Sequence, residues 1–130
     1  MSAVDELRNL LERYARAADD RDVDSLAALF TYDATIIGTR GEQSIAAWLD
    51  TMRGPRTFPV SMHLFGNPLV ELAPDGTHAT LDTYAIVYQI GDAAGGQADL
   101  TLGMRYVDDV VRDGDAWRIR YRRASSAWMR

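Results

Sequence analysis

One histidine in an apolar segment is the most reactive side chain that this sequence offers. His63 lies between Pro59 and Pro68 among Val60, Met62, Leu64 and Phe65, a composition typical of a buried strand. A neutral imidazole can accept a proton at one nitrogen while the other nitrogen donates to a carboxylate, which fixes the tautomer. The pattern therefore predicts a general base. The alternative is a core histidine that only donates to a backbone carbonyl.

Asp19 is the candidate carboxylate for this histidine. It stands at the end of the first predicted helix, where a negative charge faces the negative end of the helix dipole, so local preference does not explain it. At 100° per residue Asp19 falls at the edge of the apolar stripe, and Asp20 falls on the opposite, solvated side. The alternative is that Asp19 and Asp20 form a solvated acidic turn.

Aromatic and sulfur-containing side chains are expected to line a ligand cavity around this pair. Tyr14 shares the apolar side of the first helix and lies about one and a half turns before Asp19, so its phenol is the best-placed donor. Trp48, Met104 and Tyr106 are further candidates for ligand binding, although ordinary core packing also explains each of them.

Composition excludes several reaction classes. The chain has no Cys, and all 14 basic residues are Arg, so disulfides, thiolate metal sites and lysine Schiff bases are absent. Two His residues and no Cys do not supply the usual zinc or iron ligands, so we expect no metal and no cofactor. The glycine-rich run from Gly91 to Gly96 lacks a Lys and a following helix, and it is expected to be a flexible turn.

The charge balance limits the partners. With 14 basic and 19 acidic residues the net charge is −5, which disfavours nucleic acid and anionic membranes. No apolar run approaches the ~18 residues of a membrane span, and the acidic start lacks the basic region of an export signal. We therefore expect a soluble cytoplasmic protein. The partner expected from the predicted cavity is a small hydrophobic ligand.

The remaining pattern describes the elements that must position these residues. A length of 130 residues with 47% hydrophobic content fits one domain, residues 1–130. Apolar spacing predicts helices over Val4–Ala18, Asp22–Phe30 and Glu42–Met52. Strands are predicted over Ala34–Gly38, Thr57–Phe65, Leu69–Leu72, Ala79–Ile90, Ala98–Arg112 and Ala116–Trp128. Helices followed by hairpin-linked strands indicate an α+β domain with a curved antiparallel sheet.

Several segments together resemble the SnoaL-like group of the nuclear transport factor 2-like superfamily. They are the opening Leu11–Asp22, the segments Ala28-Leu29-Phe30 and Asp33-Ala34, the segment Met62–Pro68 and the ending Trp117-Arg118-Ile119. The pattern is most similar to the dehydratase-type members, which include scytalone dehydratase and a dehydrochlorinase, and ketosteroid isomerase-like proteins belong to the same superfamily. The resemblance implies a cone-shaped α+β fold in which a curved, partly mixed sheet and three helices surround a central pocket.

The same resemblance implies roles for individual residues. In these relatives an Asp near the end of the first helix and a His on a strand form the working pair, which corresponds to Asp19 and His63. An Arg on the last strand that lines the pocket corresponds to Arg122, and the adjoining Arg123 is the alternative. Strict alternation along that strand would instead place Arg122 outside, so the role requires a bulge or a strong twist. The second active-site His of scytalone dehydratase has no counterpart in the strand Ala79–Ile90.

These observations predict a cofactor-independent acid/base lyase or isomerase that acts on a small apolar ring compound. Dehydration, isomerisation and ring closure share the same first proton transfer, so the sequence does not choose among them. The alternatives are a non-catalytic small-ligand binding or dimerisation domain and a polyketide cyclase. A homodimer is expected because the strand Ala98–Val111 offers apolar residues on both faces, more than one core needs.

Overall fold

A computed structural model describes all residues 1–130, which form three helices and seven strands. The helices are α1 (Ala3–Asp20), α2 (Val23–Ala28) and α3 (Ile45–Arg53). The strands are β1 (Phe30–Gly38), β2 (Gly41–Ser44), β3 (Val60–Phe65), β4 (Leu69–Leu72), β5 (His78–Ile90), β6 (Leu100–Asp113) and β7 (Ala116–Met129). No helix is long and apolar enough to cross a membrane.

The strands form one curved, open sheet in the order β2-β1-β7-β6-β5-β3, and β4 also pairs with β5. The first and last strands, β1 and β7, run parallel, whereas every other pair is antiparallel. The predicted α+β fold with three helices and a partly mixed sheet is therefore confirmed.

Helix α1 begins and ends with specific caps. The Ser2 hydroxyl accepts a hydrogen bond from the backbone N–H of Asp5, as its spacing predicts. The helix ends at Arg21, whose φ of 53° lies in the left-handed region. A residue with a Cβ adopts this conformation at a cost of roughly 1–3 kcal/mol, so the surrounding contacts must hold it there.

Three predicted boundaries, at two places in the N-terminal half, are wrong. The second helix ends at Ala28, and the strand predicted to begin at Ala34 begins at Phe30. The third helix begins at Ile45, since the residues Gly41–Ser44 form β2 and the Ser44 hydroxyl caps the helix. In both places pairing across the sheet overrides local helix preference: Phe30 pairs with Ile119 of β7, and β2 pairs with β1.

The main hydrophobic core lies between α1 and the inner face of the sheet. Leu7 and Leu11 of α1, Leu81 of β5 and Ile119 of β7 are almost fully buried in one continuous cluster. This core fills one end of the cone. Tyr14 belongs to the same cluster, and His63 and Tyr106 contact its ring edge-on, so the core continues into the candidate site.

The outer face of the sheet carries exposed apolar side chains on β3 and β5. The strand register places Met62 opposite Tyr88 and Leu64 opposite Ile86. This patch extends over Val60, Tyr84 and Ile90 and over Leu69 of the adjoining strand β4. On β6, Val107 and Val111 are half-buried. The surplus apolar surface therefore lies on β3 and β5 rather than on the strand from which the sequence predicted it.

Candidate active site

The C-terminal end of α1 meets the edge strand β3 through one carboxylate. The Asp19 Oδ1 atom lies 2.6 Å from His63 Nδ1, and the Ser61 hydroxyl donates to the same oxygen at 3.0 Å. The backbone N–H of His63 donates to Asp19 Oδ2 at 2.9 Å. Because an ionised carboxylate only accepts, Nδ1 carries the imidazole hydrogen and Nε2 is the nitrogen left to accept a proton.

The sheet topology makes this contact possible. β3 pairs only with β5, so every second N–H of β3 points away from the sheet. At His63 that free N–H finds the Asp19 carboxylate. The contact fixes both the backbone and the ring of the histidine.

Arg56 is a contributor that the sequence did not indicate. Its Nη1 donates to the Asp19 carbonyl oxygen at 2.9 Å, its Nε to the Phe58 carbonyl at 3.1 Å and its Nη2 to Ser61 Oγ at 3.3 Å. A cation at the last carbonyls of a helix satisfies an orphan acceptor and complements the dipole. Arg56 and Ser61 therefore hold Asp19 in place. Because Arg56 and Ser61 are 37 and 42 residues away from Asp19 along the chain, no local sequence pattern indicates that they position it.

The environment keeps the His63 imidazole neutral. Burial lowers the pKa of His63 below its ordinary 6.5, and the nearby charges of Arg122 and Arg21 act in the same direction. The hydrogen bond and the charge of Asp19 oppose this effect but do not cancel it. At neutral pH the ring is therefore an unprotonated acceptor.

A cavity of about 230 Å³ opens beside His63. Tyr14, Trp48, Met104 and Tyr106, the residues predicted to bind a ligand, all line it together with His63. Further apolar walls come from Ile36, Val87 and Leu102, and the exposed residues Thr39, Arg40, Pro55 and Thr57 mark its mouth. This volume lies below the ~300–1,000 Å³ that is typical of ligand sites, so the cavity suits a small ligand.

Arg122 is expected from the sequence to contact a ligand directly. In the structure it does not line this cavity. Its side chain is almost completely buried, and it donates to Asp108 through Nε at 2.7 Å and Nη2 at 3.1 Å. The guanidinium carbon lies 4.1 Å from the ring centre of Tyr14 and 4.7 Å from that of Tyr106. Arg122 therefore lies behind two phenols of the cavity wall.

A bulge in β7 turns Arg122 inward. Val110 of β6 pairs with Ile119, but the preceding Asp109 pairs with Tyr121, so Arg120 is an extra residue. The alternation reverses at this point. Ile119 and Arg122 are buried on the same side of the sheet, whereas Arg123 is exposed.

The buried ion pair and the phenols form one electrostatic unit. Burial lowers the pKa of the Arg122 guanidinium, but the Asp108 carboxylate together with Tyr14 and Tyr106 outweighs burial and holds this pKa above its ordinary value. Burial also raises the pKa values of the Tyr14 and Tyr106 phenols, so both remain protonated hydrogen-bond donors. The Arg122 Nη1 atom has no hydrogen-bond partner in the protein.

Metal binding has no candidate ligand set in this arrangement. No three His, Cys, Asp or Glu side chains converge closely enough to hold an ion. His63 and Asp19 are already bonded to each other.

Three helices and a curved, partly mixed sheet around a small cavity place the chain in the class of α+β proteins with a central cavity. Within that class the chain belongs to the SnoaL-like domain family, whose model matches residues 1–123. It is 35% identical over 120 residues to Rv2910c, an uncharacterised protein of Mycobacterium tuberculosis, across 88% of this chain and 78% of that protein. The same values apply to the uncharacterised protein Mb2934c of Mycobacterium bovis.

Solved structures share the fold over nearly the whole chain. A scytalone dehydratase candidate from Novosphingobium aromaticivorans has a TM-score of 0.84 at 19% identity, covering 96% of this chain and 84% of that chain. A type 2 hexachlorocyclohexane dehydrochlorinase, LinA, has a TM-score of 0.83 at 14% identity, with 96% and 85% covered. ActVI-ORFA from Streptomyces coelicolor has a TM-score of 0.74 at 22% identity, with 94% and 95% covered. At these identities the likeness establishes the fold alone.

The ion pair behind the phenols leads to a stability prediction. Arg122→Met should lower the free energy of unfolding by about 3–5 kcal/mol, because it leaves the buried Asp108 carboxylate unpaired. The double variant Arg122→Met/Asp108→Asn should recover much of that loss, since no buried charge remains. Chemical denaturation of the three proteins measures both steps. A single variant within about 1 kcal/mol of the parent would contradict the burial of this charge.

Proposed function

We propose that this protein is a cofactor-independent lyase or isomerase in which His63 removes a proton from a carbon atom of a small ring compound. The single observation that supports this proposal most is the 2.6 Å contact between His63 Nδ1 and the Asp19 carboxylate, beside a cavity that His63 lines. A neutral imidazole held in one tautomer by a carboxylate, next to a cavity with apolar walls, is the arrangement that general-base catalysis requires.

The first step, removal of the proton from carbon, uses four side chains with different roles. Nε2 of His63 accepts the proton, and the electron pair of the broken C–H bond moves onto a neighbouring carbonyl oxygen or expels a leaving group. Asp19 stabilises the resulting imidazolium through Nδ1. The protonated phenols of Tyr14 and Tyr106 donate to the oxygen on which negative charge develops.

The second step separates the possible reactions. Return of the proton from His63 to another carbon completes an isomerisation, and loss of water or halide completes an elimination. Dehydration and dehydrochlorination are the activities in the names of two structural neighbours, and both are eliminations. The aromatic walls and the volume of about 230 Å³ favour a substrate with one or two rings.

Proton abstraction is testable without knowing the substrate. The protein should accelerate hydrogen–deuterium exchange next to the carbonyl of at least one cyclic ketone, such as 2-tetralone, followed by NMR in D₂O. His63→Ala and Asp19→Asn should each lower the exchange rate by a factor of about 10²–10⁴, and the double variant should be little worse than either, because the pair acts as one unit.

Two neighbouring residues provide matched controls for this experiment. His78→Ala removes the only other imidazole, which is exposed at the start of β5, and Asp20→Asn removes the exposed carboxylate next to Asp19. Both controls should keep the parental rate. If ring compounds bind but no ketone exchanges above the buffer rate, the protein is a binding module and not an enzyme.

The pH dependence follows from the direction of the His63 pKa. Because that pKa is lowered, the exchange rate should be level near neutral pH and fall on the acidic side with a midpoint below 6.5. Asp19→Asn removes an anion that raises the pKa, so the midpoint should move to still lower pH while the plateau falls. Rate profiles and NMR titration of the His63 ring measure both effects. A midpoint above 6.5 in the parent would contradict this assignment.

We also propose that the protein is a homodimer that buries the outer apolar patch on β3 and β5. Met62, Leu64 and Tyr88 are each more than a third exposed, and the register groups them on one face. Sedimentation at tens of micromolar should give a dimer, and Met62→Glu/Leu64→Lys should give a folded monomer because charges on this face oppose burial. Asp24→Lys, on an exposed turn of α2, is the control and should stay dimeric. A monomeric parent would exclude the interface.

A further inference from the structure

The charges around the cavity are opposite to those of the chain as a whole. The chain carries 19 acidic residues against 14 arginines, yet no Asp or Glu is among the side chains that line the cavity, whereas Arg21 and Arg40 are. The catalytic candidate Asp19 lies outside this lining and is occupied by His63 and Ser61. The cavity surface is therefore positive, with no internal counter-ion.

Three guanidinium groups without carboxylate partners lie in or beside the lining of the cavity. Arg21, Arg40 and Arg56 form no ion pair, although six other arginines of the chain do. Arg56 donates hydrogen bonds to the Asp19 carbonyl, the Phe58 carbonyl and the Ser61 hydroxyl. Partial burial and the charges of Arg56 and Arg40 lower the pKa of Arg21.

Arg21 is placed in this position by backbone and side-chain contacts. Its left-handed φ of 53° ends α1, and its Nη1 donates to the carbonyl oxygen of Met52 near the end of α3 at 3.2 Å. Its other donors stay free beside the cavity. Arg40 lies in the exposed turn between β1 and β2, with no hydrogen bond to the protein. One arginine is thus anchored, and the other is exposed and makes no hydrogen bond to the protein.

We propose that the substrate carries a carboxylate that binds Arg21 and Arg40 at the mouth, while its ring occupies the apolar interior beside His63. Guanidinium groups bind planar carboxylates through two parallel hydrogen bonds, which suits a small acid better than a bulky phosphate ester in a cavity of about 230 Å³. The inference rests on the proposed function in one respect, that this cavity is the substrate site. An anion held at Arg21 fixes which carbon of the ring faces His63.

A pair of probes that differ only in charge tests this proposal. Binding of 2-naphthoate and of 2-naphthamide is measured by calorimetry, in the parent and in the His63→Ala variant. We expect naphthoate to bind at least tenfold more tightly than naphthamide, with an affinity that falls as salt rises. Arg21→Asn and Arg40→Gln should weaken naphthoate several-fold and leave naphthamide within twofold. Asn tolerates the left-handed backbone at position 21, and Arg40 is exposed, so both variants keep the fold.

The matched control is Arg8→Gln, which removes an exposed, unpaired arginine from the opposite end of α1 and should change neither affinity. Equal binding of the two probes, or no binding of naphthoate, would overturn the proposal. So would inorganic phosphate that displaces naphthoate at equal concentration, because the mouth would then bind any free anion. Since binding in His63→Ala involves no proton transfer, loss of charge selectivity and loss of base catalysis are distinguished.

Discussion

The carboxylate of Asp19 connects helix α1 to strand β3, and the site depends on both elements. It stands at the C-terminal end of a helix, where the dipole disfavours a negative charge, and it accepts hydrogen bonds from the Ser61 hydroxyl and from the backbone and ring of His63. Arg56 offsets the unfavourable position by donating to the carbonyl of the same residue. Because these contacts join α1 to the free edge of β3, the position of the helix and the orientation of the base are set together. A change at Asp19 therefore acts on structure and on chemistry at once, which is why rate, pKa and stability must be measured side by side.

A second buried charge supports the opposite wall. Arg122 and Asp108 are fully removed from water, and ion pairs of this kind contribute little net stability compared with apolar residues of the same volume. Their placement is explained better by what they face. The guanidinium lies against the rings of Tyr14 and Tyr106, and both phenols line the cavity. Burial and the Asp108 carboxylate raise the pKa values of both phenols and keep them protonated, while the Arg122 charge acts in the opposite direction and polarises them as donors toward an oxygen that becomes negative.

The features predicted from the sequence are those that local pattern determines. The apolar stripe of α1, its serine cap, the long strands and the separation of Asp19 from Asp20 on the helix surface follow from periods of 3.6 and 2. The start of β1 at Phe30, the strand β2 and the role of Arg56 depend on residues distant along the chain, so no local window contains them. The burial of Arg122 depends on a single extra residue, Arg120, which reverses the alternation of β7. Sequence alternation alone places that arginine on the wrong face.

The electrostatics of the cavity balance two opposing requirements of base catalysis. Positive charges at Arg21 and Arg122 lower the pKa of His63 and so weaken it as a base. The same charges stabilise the negative charge that develops on the substrate when its carbon loses the proton. Asp19 partly restores the basicity from the far side of the ring, outside the cavity, where hydrogen bonds from Ser61 and from the His63 backbone stabilise its negative charge. A carboxylate inside the cavity would restore basicity more strongly but would repel an anionic intermediate. Placing Asp19 behind the imidazole and Asp108 behind the phenols, with no carboxylate among the side chains that line the cavity, meets both requirements.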